Sequence, residues 1–149
     1  MGTKYRGSEE EIRALNAFIA LMRSADAISA FAHEHLQDRG LTLSQFGALE
    51  ALYHCGDLCQ GELAAKLMRT MGSVTSLIAG LERRELVRRV REPGDQRFVT
   101  VKLTGKGRKL IGTIMPKHVG LITRRFRPLS AAEQQRLREL CRKLGKGRG

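Results

Sequence analysis

The chain has 149 residues and a formal net charge of +12, from 27 Lys and Arg against 15 Asp and Glu. That length suits one domain with its own core, no run of eighteen apolar residues occurs, and the opening MGTKYRGSEEE has no apolar signal segment, so a cytoplasmic protein without a membrane partner is expected. Three cysteines argue against a disulfide scaffold, and the uneven charge points to a polyanion: residues 1–59 carry a net −3, residues 60–109 a net +7 and residues 110–149 a net +8.

Residues 8–39 form a long helical stretch without Pro or internal Gly, with Ile12, Leu15, Ile19 and Met22 on one stripe and Ile28, Phe31, Ala32 and Leu36 continuing it. About 30 residues is long for a globular helix, which implies either a dimer-spanning element or a break near residues 24–26. Gly40 ends it. Thr42 with Gln45 makes a capping box for a second helix, whose Phe46, Leu49, Leu52 and Tyr53 face inward and which stops near Gly56.

Two short helices follow. Residues 60–67 place Leu63, Ala64 and Leu67 on one face, Arg69 and Thr70 interrupt the pattern, and Thr70 caps a helix that runs to about Arg84. Val74, Leu77, Ile78 and Leu81 are the apolar stripe of this last helix. Its opposite face starts with Gly72, Ser73, Thr75 and Ser76, small enough for a close approach to a phosphate or a base edge. Next come two strand-like runs, 86–90 and 98–103, joined by REPGDQR, whose Pro93-Gly94-Asp95 marks a turn and carries Arg91 and Arg97 outward. A projecting Arg97, held by Asp95 two residues away, suits a narrow minor groove. Thr104 caps a helix over residues 105–125 in which Pro116 is expected to kink the axis, and Ser130 with Glu133 caps a final helix bearing Leu137, Leu140 and Leu144. The tail GKGRG has the composition of a solvated end.

Helix, turn, helix and a two-stranded ribbon with a charged tip make a winged helix-turn-helix. The expected fold is mainly α with a small β-wing: residues 42–103 bind DNA, and the flanking helices, 8–39 and 105–145, dimerise. The order ELAAKL, TMGSVTSLIAGLERR, LVRRVREPGDQRFVTVKLTGKG resembles the MarR family of bacterial and archaeal regulators, most strongly over residues 41–110. The resemblance implies a homodimer on a pseudopalindromic double-stranded DNA operator, usually a repressor, released by a small ligand or an oxidant. By motif position it implies that Thr70, Ser73, Val74 and Thr75 meet DNA and that Asp95 and Arg97 form the wing pair. Val74 thus stands in two sets, the buried stripe and the reading face. Gln60, Thr70 and Arg91 are candidates for backbone contact. Where the family commonly has Gly after the recognition helix this chain has Glu85, and Gly80 lies inside that helix.

Cys59 precedes Glu62 by three residues, where Ser or Thr would complete a capping box, and the positive end of a helix favours a reactive thiolate. Cys59, with Cys55, is therefore a candidate oxidant or electrophile sensor. Phe46, Leu49 and Tyr53 share one face of the second helix; in the resembled family aromatic ligands bind between this helix, the first and the fifth. The segments FGALEALYHCGD and MPKH also resemble the subgroup that responds to quinones and catechols, which suggests a small aromatic or quinone-like effector. No CxxC pair, HExxH run, P-loop, GxGxxG or GxSxG occurs, so no metal site, no cofactor and no enzymatic activity are expected. The competing readings are an architectural nucleic-acid binder without sequence preference and an interaction module that has lost DNA binding.

Overall fold

A computed structural model describes residues 2–146, apart from the side chains of Asp95, Gln96 and Arg97. Six helices and three strands follow in the order α1 (Glu9–Gln37), α2 (Leu43–Cys55), β1 (Leu58–Cys59), α3 (Gln60–Leu67), α4 (Met71–Arg83), β2 (Val87–Glu92), β3 (Asp95–Leu103), α5 (Gly105–Phe126) and α6 (Ala131–Lys146). The helix starts are written in side-chain chemistry. Ser8 with Glu11, Thr42 with Gln45 and Cys59 with Glu62 each form a reciprocal capping box, while Thr70 and Thr104 accept the backbone N–H of Ser73 and Gly107. Ser130 and Glu133 make the same exchange before α6.

The helix ends depend on left-handed residues. Gly40, at φ +62°, lets the Leu41 N–H return to the Leu36 carbonyl, and both leucines are buried. Glu85 does the same for α4: its own φ is +59°, its N–H donates to Glu82, and the Leu86 N–H donates to the Leu81 carbonyl. The helix therefore ends as a glycine would end it, with a side chain held in a region that costs about 1–2 kcal/mol.

The core gathers Leu36, Leu41, Phe46, Leu49, Leu52, Leu63, Ile78, Leu81 and Ile111 between α1, α2, α3, α4 and α5. The three-stranded antiparallel sheet, ordered β1-β3-β2, lies at its edge, and Val87 and Val101 carry the core onto it. The strands are longer than the sequence suggested, and β1 was not expected at all; its two residues pair Leu58 with Val101 and Cys59 with Thr100. Gly107 at the start of α5 lies directly under the Leu86 carbonyl, where a Cβ would collide.

α1 is unbroken through residues 24–26, so the expected alternatives resolve in favour of one long helix. By length and composition it could cross a membrane, with Arg23 and Asp26 near its middle. Only Ala32 and Leu36 on it are buried; Phe18 and Met22 are exposed, as are Leu137, Leu140 and Leu144 on α6. Near the C-terminal end of α1, His35 Nε2 and His118 Nδ1 of α5 lie 2.8 Å apart, and the His118 ring packs on Phe46 at a centroid distance of 4.3 Å.

Two tests follow from these packing details. Glu85→Gly relieves the left-handed strain and is expected to raise stability by about 1 kcal/mol in urea denaturation, in spite of the lost exposed contact to Lys106. His35 and His118 are both held below the ordinary imidazole value, first by burial, then for His35 by the His118 and Lys117 charges; Asp38 and Glu50 pull the other way. A depressed folded value means that the unfolded chain binds protons first, so this stability is fully present above about pH 6.5 and is lost as pH falls through the folded values. The urea midpoint is expected to drop as the pH falls below about 6.5, and the drop should be shallower in His118→Gln.

Candidate nucleic-acid interface

α4 is divided along its length by burial. Val74, Ile78 and Leu81 are wholly buried, and the turn of Met71, Gly72, Thr75 and Ser76 faces outward. This corrects the placement of Val74 on the reading face: at 0% exposure its side chain belongs to the core, because residues four apart on a helix share a side and Ile78 and Leu81 fix which side is inward. Ser73 is half-buried, whereas Thr70 and Thr75 are exposed. The Thr75 hydroxyl donates to the Met71 carbonyl at 2.9 Å, which orients the side chain and leaves its oxygen free to accept. Nothing lies within 4 Å of a Cβ built on Gly72, so this position opens to whatever the helix approaches.

The wing is tied to α4 by an ion pair that sequence reading missed. Arg89 of β2 donates through Nη2 to Glu82 Oε1 at 3.1 Å, and its backbone N–H and Nε reach the other carboxylate oxygen at 3.0 and 3.3 Å. The Arg89 hydrogen bonds hold the Glu82 carboxyl below the usual range. A seven-residue separation across a helix end and a strand start gives no periodic signal; only the turn at Glu85 brings the two together. β2 and β3 then run antiparallel, with Arg91 opposite Val99 and a register shift between Arg91 and Glu92 that precedes the tip at Gly94 (φ +100°). Arg88, Arg89 and Arg91 are exposed on β2. The backbone of Asp95 and Arg97 begins β3 beside the tip; their expected side-chain pair lies outside the described residues.

Gln60 begins α3, half-buried, with its Nε2 covered and without a hydrogen-bond partner among the described residues. It lines a cavity of about 220 Å³ together with Cys59, Met71 and Phe98, at the seam between α3, α4 and the wing. Cys59 is half-buried and caps α3, its Sγ accepting the Glu62 N–H at 3.4 Å, while Cys55 is exposed at the end of α2. The aromatic-ligand expectation fares differently. Phe46 and Leu49 are closed into the core at 1% and 0% exposure. Tyr53 is half-buried, with Arg108 over its ring. Inward-facing positions on α2 are covered by α1 and α5, so their apolar face is spent on the core.

The sequence profile of the MarR family matches residues 41–99. The HTH-type transcriptional regulator MhqR of Bacillus subtilis is 32% identical over 133 residues, which span 89% of this chain and 92% of that protein. Among solved structures, Sco3205 of Streptomyces coelicolor, a MarR family transcriptional regulator in complex with DNA, superposes with a TM-score of 0.86 at 25% identity, over 97% of this chain and 91% of that one. BpsR of Bordetella bronchiseptica, whose DNA binding is regulated by 6-hydroxynicotinic acid, superposes with a TM-score of 0.79 at 27% identity, over 87% and 98%.

The capping role of Cys59 is testable without any ligand. Cys59→Ala should lower stability by about 0.5–1 kcal/mol, and Cys59→Ser, which keeps a better acceptor at the cap, should match or exceed wild type in the same denaturation experiment. Equal loss in both variants would show that the thiol acts through packing.

Proposed function

The chain belongs to the MarR family, and from that premise we propose that it is a homodimeric repressor of a pseudopalindromic operator, released by a small phenolic or quinone-like effector or by oxidation of Cys59. It is a transcriptional regulator and not an enzyme. The observation that carries the finer reading is the exposed, uncharged N-terminal half of α4 beside an arginine-bearing wing, in the segment where the net charge turns to +7. Ser73 and Thr75 read the major groove, Arg97 with Asp95 serves the minor groove, and Gln60, Thr70 and Arg91 hold phosphates.

Dimerisation is supported by the apolar residues that α1 and α6 leave exposed, Phe18, Met22, Leu137, Leu140 and Leu144, outside the DNA-binding segment. A two-fold axis through these helices sets two α4 copies about one DNA turn apart. Release through Cys59, with Cys55 as its exposed neighbour in sequence, rests on the cap: a disulfide formed with a second thiol under peroxide, or addition of the thiolate to a quinone carbon, puts a bulky substituent on the half-buried sulfur that accepts the Glu62 N–H and displaces the start of α3. An aromatic effector on the α2 face meets Tyr53, the one of the three stripe residues that reaches the surface.

The test is a titration of the DNA upstream of the chain's own gene against random DNA at about 150 mM salt, with and without peroxide or a quinone. A preference of roughly a thousandfold or more is expected, abolished by the oxidant. Equal affinity for both DNAs would establish an architectural binder instead. Arg97→Ala should weaken operator binding by roughly tenfold or more with an unchanged melting curve; retained affinity would remove the wing from recognition.

A further inference from the structure

A second concave surface lies at the opposite end of α4. Arg39 from the end of α1, Arg84 from the end of α4, and Lys106 and Lys109 from the first turns of α5 line a cavity of about 300 Å³, together with Thr113. Leu86 and Leu110 give the lining its apolar part. Two of the cations are set in place by the backbone. Arg84 donates to the carbonyls of Gly40 and Arg39 at 2.6 and 3.0 Å, and Lys106 donates to the Arg84 carbonyl at 3.1 Å while facing Glu85 at 3.8 Å. Those bonds satisfy carbonyls that follow α1 and α4 and account for Arg84 and Lys106. They do not account for Arg39 and Lys109, whose side chains have no hydrogen-bond or ion-pair partner among the described residues. Four cations around one hollow, with a single exposed carboxylate against them, are self-repelling unless an anion shares the space.

We propose that this cavity binds a small phosphate monoester as its dianion, with the phosphoryl group among Arg39, Arg84, Lys106 and Lys109 and its organic substituent on Leu86 and Leu110. The free Arg39 fork and Lys109 ammonium, with the N–H groups that Arg84 and Lys106 keep beyond their backbone bonds, supply donors to three terminal oxygens, and a charge of nearly two balances the lining better than one carboxylate can. The Thr113 hydroxyl already donates to the Lys109 carbonyl at 2.8 Å and offers its oxygen as an acceptor toward a ligand hydroxyl. DNA is not the occupant. α4 has 13 residues, so the cavity stands about 20 Å from the exposed turn at its N-terminus. Because its cations come from α1, α4 and α5, a bound dianion ties the recognition helix to the flanking helices and shifts operator affinity, a consequence that rests on the regulatory function proposed above.

The binding test uses the full chain without DNA, so its outcome does not depend on that function. Calorimetric titration compares phenyl phosphate, inorganic phosphate and benzoate at about 150 mM salt, against wild type, Arg39→Ala and Lys109→Ala, with melting curves as the check on folding. Phenyl phosphate is expected to bind saturably, roughly fivefold or more tighter than benzoate, and to weaken by a similar factor in each variant. Inorganic phosphate should compete with it more weakly. No saturable binding, benzoate at least as tight, or unchanged affinity in both variants would overturn the proposal. A loss of random-duplex affinity in the variants equal to the loss for phenyl phosphate would also overturn it, by making the cavity a DNA-backbone contact. With the site established, phenyl phosphate should alter operator affinity in wild type and leave it unaltered in Lys109→Ala.

Discussion

The junction at the end of α4 is the constraint on which the rest depends. The left-handed turn at Glu85 returns the Leu86 N–H to Leu81, and the neighbouring carbonyls then serve as acceptors for other elements: Glu85 for the Thr104 hydroxyl, Leu86 for the Thr104 N–H, Arg84 for Lys106. Arg84 itself reaches back to the carbonyls that close α1. Gly107 allows the first turn of α5 to sit against Leu86 without a side chain between them. One helix end thereby fixes the directions of α1, β2 and α5. Its carbonyl groups would otherwise be orphaned, and Thr104 and Lys106 at the entry of α5 satisfy three of them.

Recognition is built outward from that junction. With the C-terminal end of α4 held, Val74, Ile78 and Leu81 seal the inner side and the N-terminal turns are left to present small, uncharged groups. The Glu82–Arg89 pair joins the outer flank of α4 to the wing, and β1 joins β3 to the entry of α3. Both side chains of that pair are about one-third exposed, so its value lies more in geometry than in stability. α4 and the wing are thus parts of one body, which the proposed contact with two adjacent grooves requires.

Charge is unevenly spread along the chain, with the acidic excess in residues 1–59 and the basic excess after them. Exposed apolar side chains occur on α1 and α6, as Phe18, Met22, Leu137, Leu140 and Leu144, and also beside the wing, as Met68, Met71 and Phe98. On α6 the apolar row shares its helix with Arg136, Arg138, Arg142 and Lys143, so one element carries both kinds of surface.

Much of this was legible in the order of residues. Capping boxes, the 3.6-residue stripes, the Pro-Gly turn and the charge step are local signals, and local physics fixed the six helices and the ribbon, while the family came from the resemblance of their ordered motifs. Four matters needed the assembled fold. Val74 could be counted on either side of α4 until Ile78 and Leu81 were seen sealed beneath it. β1 is two residues long, too short to show a period, and exists because β3 has an edge to offer. The Glu82–Arg89 pair and the four-cation cavity draw on residues from separate elements, with no spacing rule to link them. Glu85 shows the division most plainly: its side chain argues against a left-handed turn, and it takes one because Leu81, Leu86 and Thr104 together repay more than the strain costs.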